Sequence, residues 1–205
     1  MKTYAALAAV QGVLLAFQGI SYLLIQRIQG NYHDMMCPAD CRIPLRTGWV
    51  YLYILWYPLI ALYPLCLYGY SAALYRIYLL AIILDILVSL LIYAVYPTSF
   101  QRPSVSHGSF TGKILRSVYT VDYKGLNCMP SMHCSQCFII MASVGSAASG
   151  GIAEPFALCG VFLLALFIVA STLFTKQHVV IDVITALPVG IGCYILSALA
   201  LAENL

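Results

Sequence analysis

Apolar and polar residues fall in long blocks along this chain, not in the short alternation of a soluble fold. Six blocks are predominantly apolar: about 4–26, 49–70, 72–96, 132–149, 155–174 and 179–201. A helix of roughly 20 residues crosses a hydrocarbon layer about 30 Å thick, so each block predicts a transmembrane helix. The fourth is the most polar, with Ser, Gly and Cys mixed in, and its small residues suit close helix packing. Pro58 and Pro64 interrupt the second and predict kinks, because proline lacks a backbone donor. No ten-residue alternation recurs, so a strand barrel is not expected. Met1-Lys2 leads into an apolar run longer than a signal-peptide core, which predicts a retained first helix. The expected fold class is all-α: one integral membrane domain over 1–205, a six-helix bundle without internal repeats.

Composition agrees. The 205 residues are 62% hydrophobic and 8% charged, with a mean hydropathy of +0.92, whereas soluble domains carry about 25% charged residues. The formal net charge is +3, and the cations form no run, which excludes nucleic acid as an expected partner. Tyr51, Tyr53, Tyr57, Tyr93 and Tyr96 cluster near block ends and read as an interfacial aromatic belt. Of eight cysteines, Cys66, Cys134, Cys137, Cys159 and Cys193 read as packing groups, as does Cys128. Cys37 and Cys41 are spaced for a disulfide or half a metal site, but no second pair completes one. No metal or cofactor is expected.

Two long polar loops, about 27–48 and 97–130, divide the blocks. Alternating sides places the loops after spans one, three and five on one face. Arg102, His133 and His178 then share that face. So do Arg27, Arg42, Arg46, Lys113, Arg116, Lys124 and Lys176, against Lys2 and Arg76 opposite; the positive-inside bias would make the shared face cytoplasmic.

Chemistry concentrates in two segments, Asn127-Cys128-Met129-Pro130-Ser131-Met132-His133 and Thr175-Lys176-Gln177-His178-Val179-Val180-Ile181-Asp182. His178 and Asp182 are spaced i,i+4, one helical turn apart on one face. A carboxylate on one ring nitrogen fixes the tautomer and makes the other nitrogen more basic, suited to attack on phosphorus. Alternatively, the pair satisfies itself inside a bundle. Pro130 suits a first helical turn, which places Ser131, Met132 and His133 at a helix end whose free amides bind anions. His133 can protonate a departing oxygen, a gain of about 10²–10⁴-fold. Arg102 can grip two phosphate oxygens or snorkel at the boundary. Lys176 offers a second cation or is an ordinary interfacial lysine. Asp85 lies mid-span, where a charged carboxylate is expensive, and is expected to be protonated or paired. His33 and His107 read as solvated loop residues.

The order Arg102-Pro103, Pro130-Ser131-Met132-His133 and His178 with Asp182 resembles the type 2 phosphatidic acid phosphatase superfamily. That group takes in lipid phosphatases, sphingomyelin and inositol-phosphorylceramide synthases, and vanadium haloperoxidases. Asp40-Cys41-Arg42-Ile43-Pro44 with Val50-Tyr51, and Asp122 ahead of Asn127, resemble its bacterial membrane members. The resemblance implies His178 as nucleophile, Asp182 as its partner and His133 as acid. Arg102, Ser131 and the amides near Met132 would hold the phosphoryl oxygens, with Lys176 as a supplementary cation. It also implies a lipid phosphate substrate among membrane lipids and a multi-pass protein of the bacterial inner membrane, with the site on the outer face. Two family cations are replaced, by Val95 and by Ser171-Thr172; Lys176, Lys113 or Arg116 are candidates to compensate. Three readings stay open: a lipid phosphatase, a phospho-headgroup transferase, and a non-catalytic or haem-binding membrane protein.

Overall fold

The computed structural model describes residues 2–28, 30–106, 108–121, 125–151 and 154–202; His107, Asp122 and Lys124 lie outside them. Chain order is α1 (Lys2–Ile28), β1 (His33–Asp34), α2 (Pro38–Arg42), α3 (Val50–Ile54), α4 (Trp56–Tyr70), α5 (Ala72–Val95), β2 (Thr98–Ser99), α6 (Phe110–Val121), α7 (Met132–Ser149), α8 (Pro155–Phe174) and α9 (Val180–Leu201). The helical class holds. Among the described residues, five segments are long and apolar enough to cross a membrane: Lys2–Arg27, Thr47–Tyr70, Ala72–Val95, Pro155–Phe174 and Val180–Leu201.

The expected fourth span, α7, is an 18-residue helix that is not among those five. Its polar residues explain why. Ser135, Gln136 and Ser143 are buried, and α7 packs against α5, α8 and α9. A helix enclosed by other helices does not need an apolar surface all round. Gly190 of α9 makes the closest approach: a Cβ there would lie 2.4 Å from the Ser135 carbonyl oxygen. One core cluster runs through α4, α5, α7, α8 and α9.

The second block breaks where its prolines predict. Pro58 has no N–H for the Ile54 carbonyl and its ring crowds the preceding turn, and the helix divides at Leu55 into α3 and α4. Pro64 stays inside α4.

α1 is inverted relative to a soluble helix. Val13, Phe17, Ile20, Leu23 and Leu24 are exposed, while Gln11, Gln18 and Gln26 are buried. The amides dock it: Gln136 Nε2 donates to Gln18 Oε1 at 2.9 Å, and Gln26 Nε2 to the Leu126 carbonyl at 3.4 Å. Lipid-facing apolar residues with polar contacts inward are the pattern a bilayer solvent selects.

The polar connections gather at one end of the bundle. β1 pairs in parallel with β2, His33 opposite Thr98, and Ser99 bridges to Leu126. The Arg46 N–H donates to the Phe174 carbonyl at 2.8 Å. The long loop, expected to be polar loop throughout, also contains α6. Ile114, Leu115, Val118 and Tyr119 recur at helical spacing and pack against Val50 and Val105, while Lys113 and Ser117 face out. That periodicity was a legible signal.

Candidate active site

The end of α8 and the start of α9 build the first half of the site. α8 closes with Lys176 in the left-handed region, φ 53°. The turn lets the Thr172 carbonyl accept from the backbone N–H groups of Gln177 (2.9 Å) and His178 (3.2 Å). His178 therefore precedes α9 and is not on it, a correction to the same-face helix geometry expected above. The pairing survives because Asp182 sits in the first turn and reaches back. Its Oδ2 accepts from the Val179 N–H at 3.0 Å and lies 3.2 Å from His178 Nδ1. With the carboxylate as acceptor, the tautomer that fits this contact has its proton on Nδ1 and its lone pair on Nε2. Asp182 is fully buried and the His178 side chain is 11% exposed.

The start of α7 builds the other half. Pro130 is not in the first helical turn as expected. Ser131 is the N-cap, its Oγ accepting from Cys134 N–H at 3.3 Å, so Met132 and His133 are the first two helical residues. The caps of the two helices are tied, Ser131 N–H donating to the Asp182 carbonyl at 3.2 Å. Ser131 is fully buried: its oxygen serves the helix before any ligand. Tyr93 OH donates to the Pro130 carbonyl at 2.6 Å.

His133 and His178 face one another with ring centroids 6.0 Å apart. Trp56 stands 4.0 Å from His133 and Tyr53 stacks on it at 4.8 Å, with Tyr57 edge-on at 6.2 Å. Both histidines line a cavity of about 290 Å³ whose walls include Leu15, Tyr22, Met132 and Gln177. His133 Nε2 and Gln177 Nε2 are buried there without a hydrogen-bond partner. Buried polar atoms are nearly always satisfied, so such atoms at a cavity wall mark a place for a ligand or water. Tyr53 and Tyr93 are thus buried against the site instead of forming a surface belt; Tyr57 borders the cavity and is exposed, as are Tyr51 and Tyr96. Trp56 and Gln177 were not singled out in the sequence. The helical spacing of Tyr53, Trp56 and Tyr57, kept across the α3–α4 break, was the available clue.

The cations line a second recess, about 480 Å³, together with Asp40, Phe100 and Val179. The Arg102 guanidinium lies 5.5 Å from the Phe100 ring centroid and 5.0 Å from that of Tyr119. Burial pushes the Tyr119 hydroxyl up to about 12, against the pull of Arg102, and that hydroxyl donates to the Thr175 carbonyl at 2.6 Å. Gly125 takes a left-handed φ of 57° beside the guanidinium, and a Cβ there would stand 3.2 Å from the Phe100 carbonyl oxygen. Lys176 Nζ donates to the Asp40 carbonyl at 2.7 Å. Histidines and cations meet at the His178–Val179 step, where one residue lines each cavity.

Asp40 is the clamp beneath. Its Oδ1 accepts from Val180 N–H at 2.7 Å and its Oδ2 from Cys37 N–H at 2.9 Å. Burial pushes its pKa up, but the bonds from Cys37 and Val180 and the charge of Lys176 outweigh burial and hold the carboxyl below its usual range.

The proposed compensations do not all reach the site. Arg116 donates to the Val105 and Ser106 carbonyls and Lys113 is exposed. Val95 is 75% exposed; Ser171 and Thr172 turn their hydroxyls back to the Ile168 and Val169 carbonyls. Asp85 is fully buried beside Ser135 and Gln136, without a well-formed hydrogen bond. His33 is exposed and stacks on Tyr96 at 4.2 Å. Cys37 and Cys41 are free thiols.

Set against protein families, curated proteins and solved structures, the chain matches none.

Proposed function

We propose that this chain is a membrane lipid phosphatase of the type 2 phosphatidic acid phosphatase kind, with α7 as the sixth crossing, acting on a phosphomonoester or pyrophosphate lipid through a phosphohistidine. One observation carries the reading. His178 has Nδ1 held by Asp182, while His133, its Nε2 without a partner, stands across the same cavity. A tethered nucleophile facing a second imidazole is the arrangement that a two-step phosphoryl transfer needs.

In the first step the Nε2 lone pair of His178 attacks phosphorus. The bond from phosphorus to the lipid oxygen breaks, and His133 gives that oxygen its proton. An arriving phosphate dianion favours the imidazolium form of His133. In the second step water attacks phosphorus, His133 takes a water proton, and the P–N electron pair returns to His178. The Met132 amide is assigned to the phosphoryl oxygens, with Ser131 holding the helix end that presents that amide; Arg102 and Lys176 line the adjoining recess and are assigned to the same oxygens provided that the phosphate straddles the His178–Val179 step. Such preorganised donors supply most of the charge stabilisation. The apolar wall of Leu15, Tyr22 and Trp56 accommodates the lipid chain beside the head group.

Hydrolysis and headgroup transfer share the first step and differ only in the acceptor. Purified protein is assayed against a panel of lipid phosphates, following both released phosphate and new phospholipid. Vanadate-sensitive phosphate release that disappears in Asp182→Asn supports the phosphatase. A new phospholipid without free phosphate selects the transferase, and no turnover on any substrate removes the enzymatic reading.

A further inference from the structure

The catalytic pair has a neighbour that the proposed reaction leaves unused. Cys128 Sγ, an imidazole nitrogen of His178 and a carboxylate oxygen of Asp182 all lie within 4.8 Å of one another. We propose that these three side chains form a binding site for one thiophilic divalent cation, with Zn²⁺ the best fit, and that its occupancy withdraws His178 from catalysis.

Three features support the site. The ligands come from two segments locked together by the Ser131–Asp182 backbone bond, so their convergence belongs to the fold. Cys128 is anchored on its own side, its N–H donating to Thr98 Oγ1 at 3.1 Å; the thiol is buried. Finally, Asp182 commits only Oδ2 to the protein, while Oδ1 is buried without a partner. Tetrahedral zinc takes ligands at about 2.0–2.3 Å, which places neighbouring ligand atoms roughly 3.5 Å apart. Binding then requires the three side chains to draw together by about 1 Å. One sulfur, one nitrogen and one oxygen suit Zn²⁺ or Co²⁺ better than the hard cations Mg²⁺ and Ca²⁺. A fourth position is left for water or a phosphate oxygen.

The proton balance follows from the ligand set. The Cys128 thiol gives one proton to solvent and binds as thiolate, while His178 stays neutral with its proton on whichever nitrogen the metal does not take. The ring can then no longer be both oriented by Asp182 and free to attack. The ordinary alternative is that Cys128 fills space between Phe100 and Val179, with which it clusters. That role predicts no metal response.

The site stands on geometry alone; the inhibition clause rests on the phosphatase reading, and the test separates them. Purified wild-type protein in detergent is titrated with Co²⁺ and then with Zn²⁺. The expected result is a thiolate-to-Co²⁺ absorption band at one equivalent, displaced by Zn²⁺, retained in the Cys37→Ser/Cys41→Ser double variant and lost in Cys128→Ser. Zn²⁺ should inhibit lipid phosphate hydrolysis, with its midpoint raised more than about tenfold in Cys128→Ser relative to that variant's own metal-free rate; even outer-shell changes weaken metal sites tenfold or more. A band without hydrolysis upholds the site and sinks the phosphatase. Hydrolysis without a band, or a band that persists in Cys128→Ser, overturns the site. Should Cys128→Ser fail to fold, zinc X-ray absorption on the double variant decides: one sulfur neighbour supports the site, and a shell of nitrogen and oxygen alone overturns it.

Discussion

At His133 an imidazole sits between Trp56, Tyr53 and His178, with Nε2 left for a ligand. If its task is to protonate the departing oxygen, the benefit depends on how poor that leaving group is. His133→Ala should slow alkyl phosphate hydrolysis by about 10²–10⁴-fold and activated aryl phosphates far less. Parallel kinetics on the two substrates check this, and equal losses argue against the acid role. Asp40 makes a different prediction. Its carboxyl is held below the usual range by hydrogen bonds and Lys176, so its contribution is fully present above the ordinary carboxylate value and is lost as pH falls through its lowered one. Asp40→Asn should cost about 1–3 kcal/mol near neutral pH. The gap between wild-type and variant melting temperatures should shrink below about pH 4; a gap that widens in acid contradicts the clamp. At the residue scale the site is legible from the chain only in part. His178 and Asp182 could be paired from spacing, although the reason they meet is a first-turn carboxylate reaching back, not a shared helical face. Trp56, Gln177 and the Asp40 clamp were hidden because their roles depend on contacts from distant segments.

Among the elements, α7 and α9 carry the two halves of the site, and their alignment depends on Gly190. Any side chain there meets the Ser135 backbone, which cannot rotate away. Gly190→Ala should destabilise the bundle by about 1–3 kcal/mol, the usual cost of overpacking, and should reduce turnover by moving one histidine relative to the other. Thermal unfolding in detergent beside the activity assay checks both. An unchanged melting temperature would mean that the helices separate more easily than the packing indicates. Apolar block length was enough to place α1, the α3–α4 pair, α5, α8 and α9 within a few residues. It placed α7 as well, at Met132–Ser149, although buried serines and a glutamine that neighbouring helices enclose keep that helix out of the set apolar enough to cross a membrane by composition. It passed over α6, whose amphipathic period lay inside a stretch judged by its overall polarity.

For the whole molecule, the decisive property is that three connections far apart in sequence share one end of the bundle. Counting spans predicted that placement, and the β1–β2 pair and the Arg46–Phe174 bond are its physical form. Single cysteines placed in the loops at 30–49 and 97–131, on a background without exposed cysteines, should label with an impermeant maleimide from the same side of sealed vesicles. Labelling from opposite sides would break the site apart. The separation of imidazoles and cations into adjoining cavities was not legible, because spacing carries no information about which face of a loop a side chain takes. The central claim is that phosphate passes through His178, and rapid-quench trapping tests it most directly. Purified protein is mixed with ³²P-labelled lipid phosphate, quenched in alkali and mapped by mass spectrometry. An alkali-stable, acid-labile phosphoryl group on His178, absent from His178→Gln, is the predicted result; turnover with no label on His178 would contradict the account.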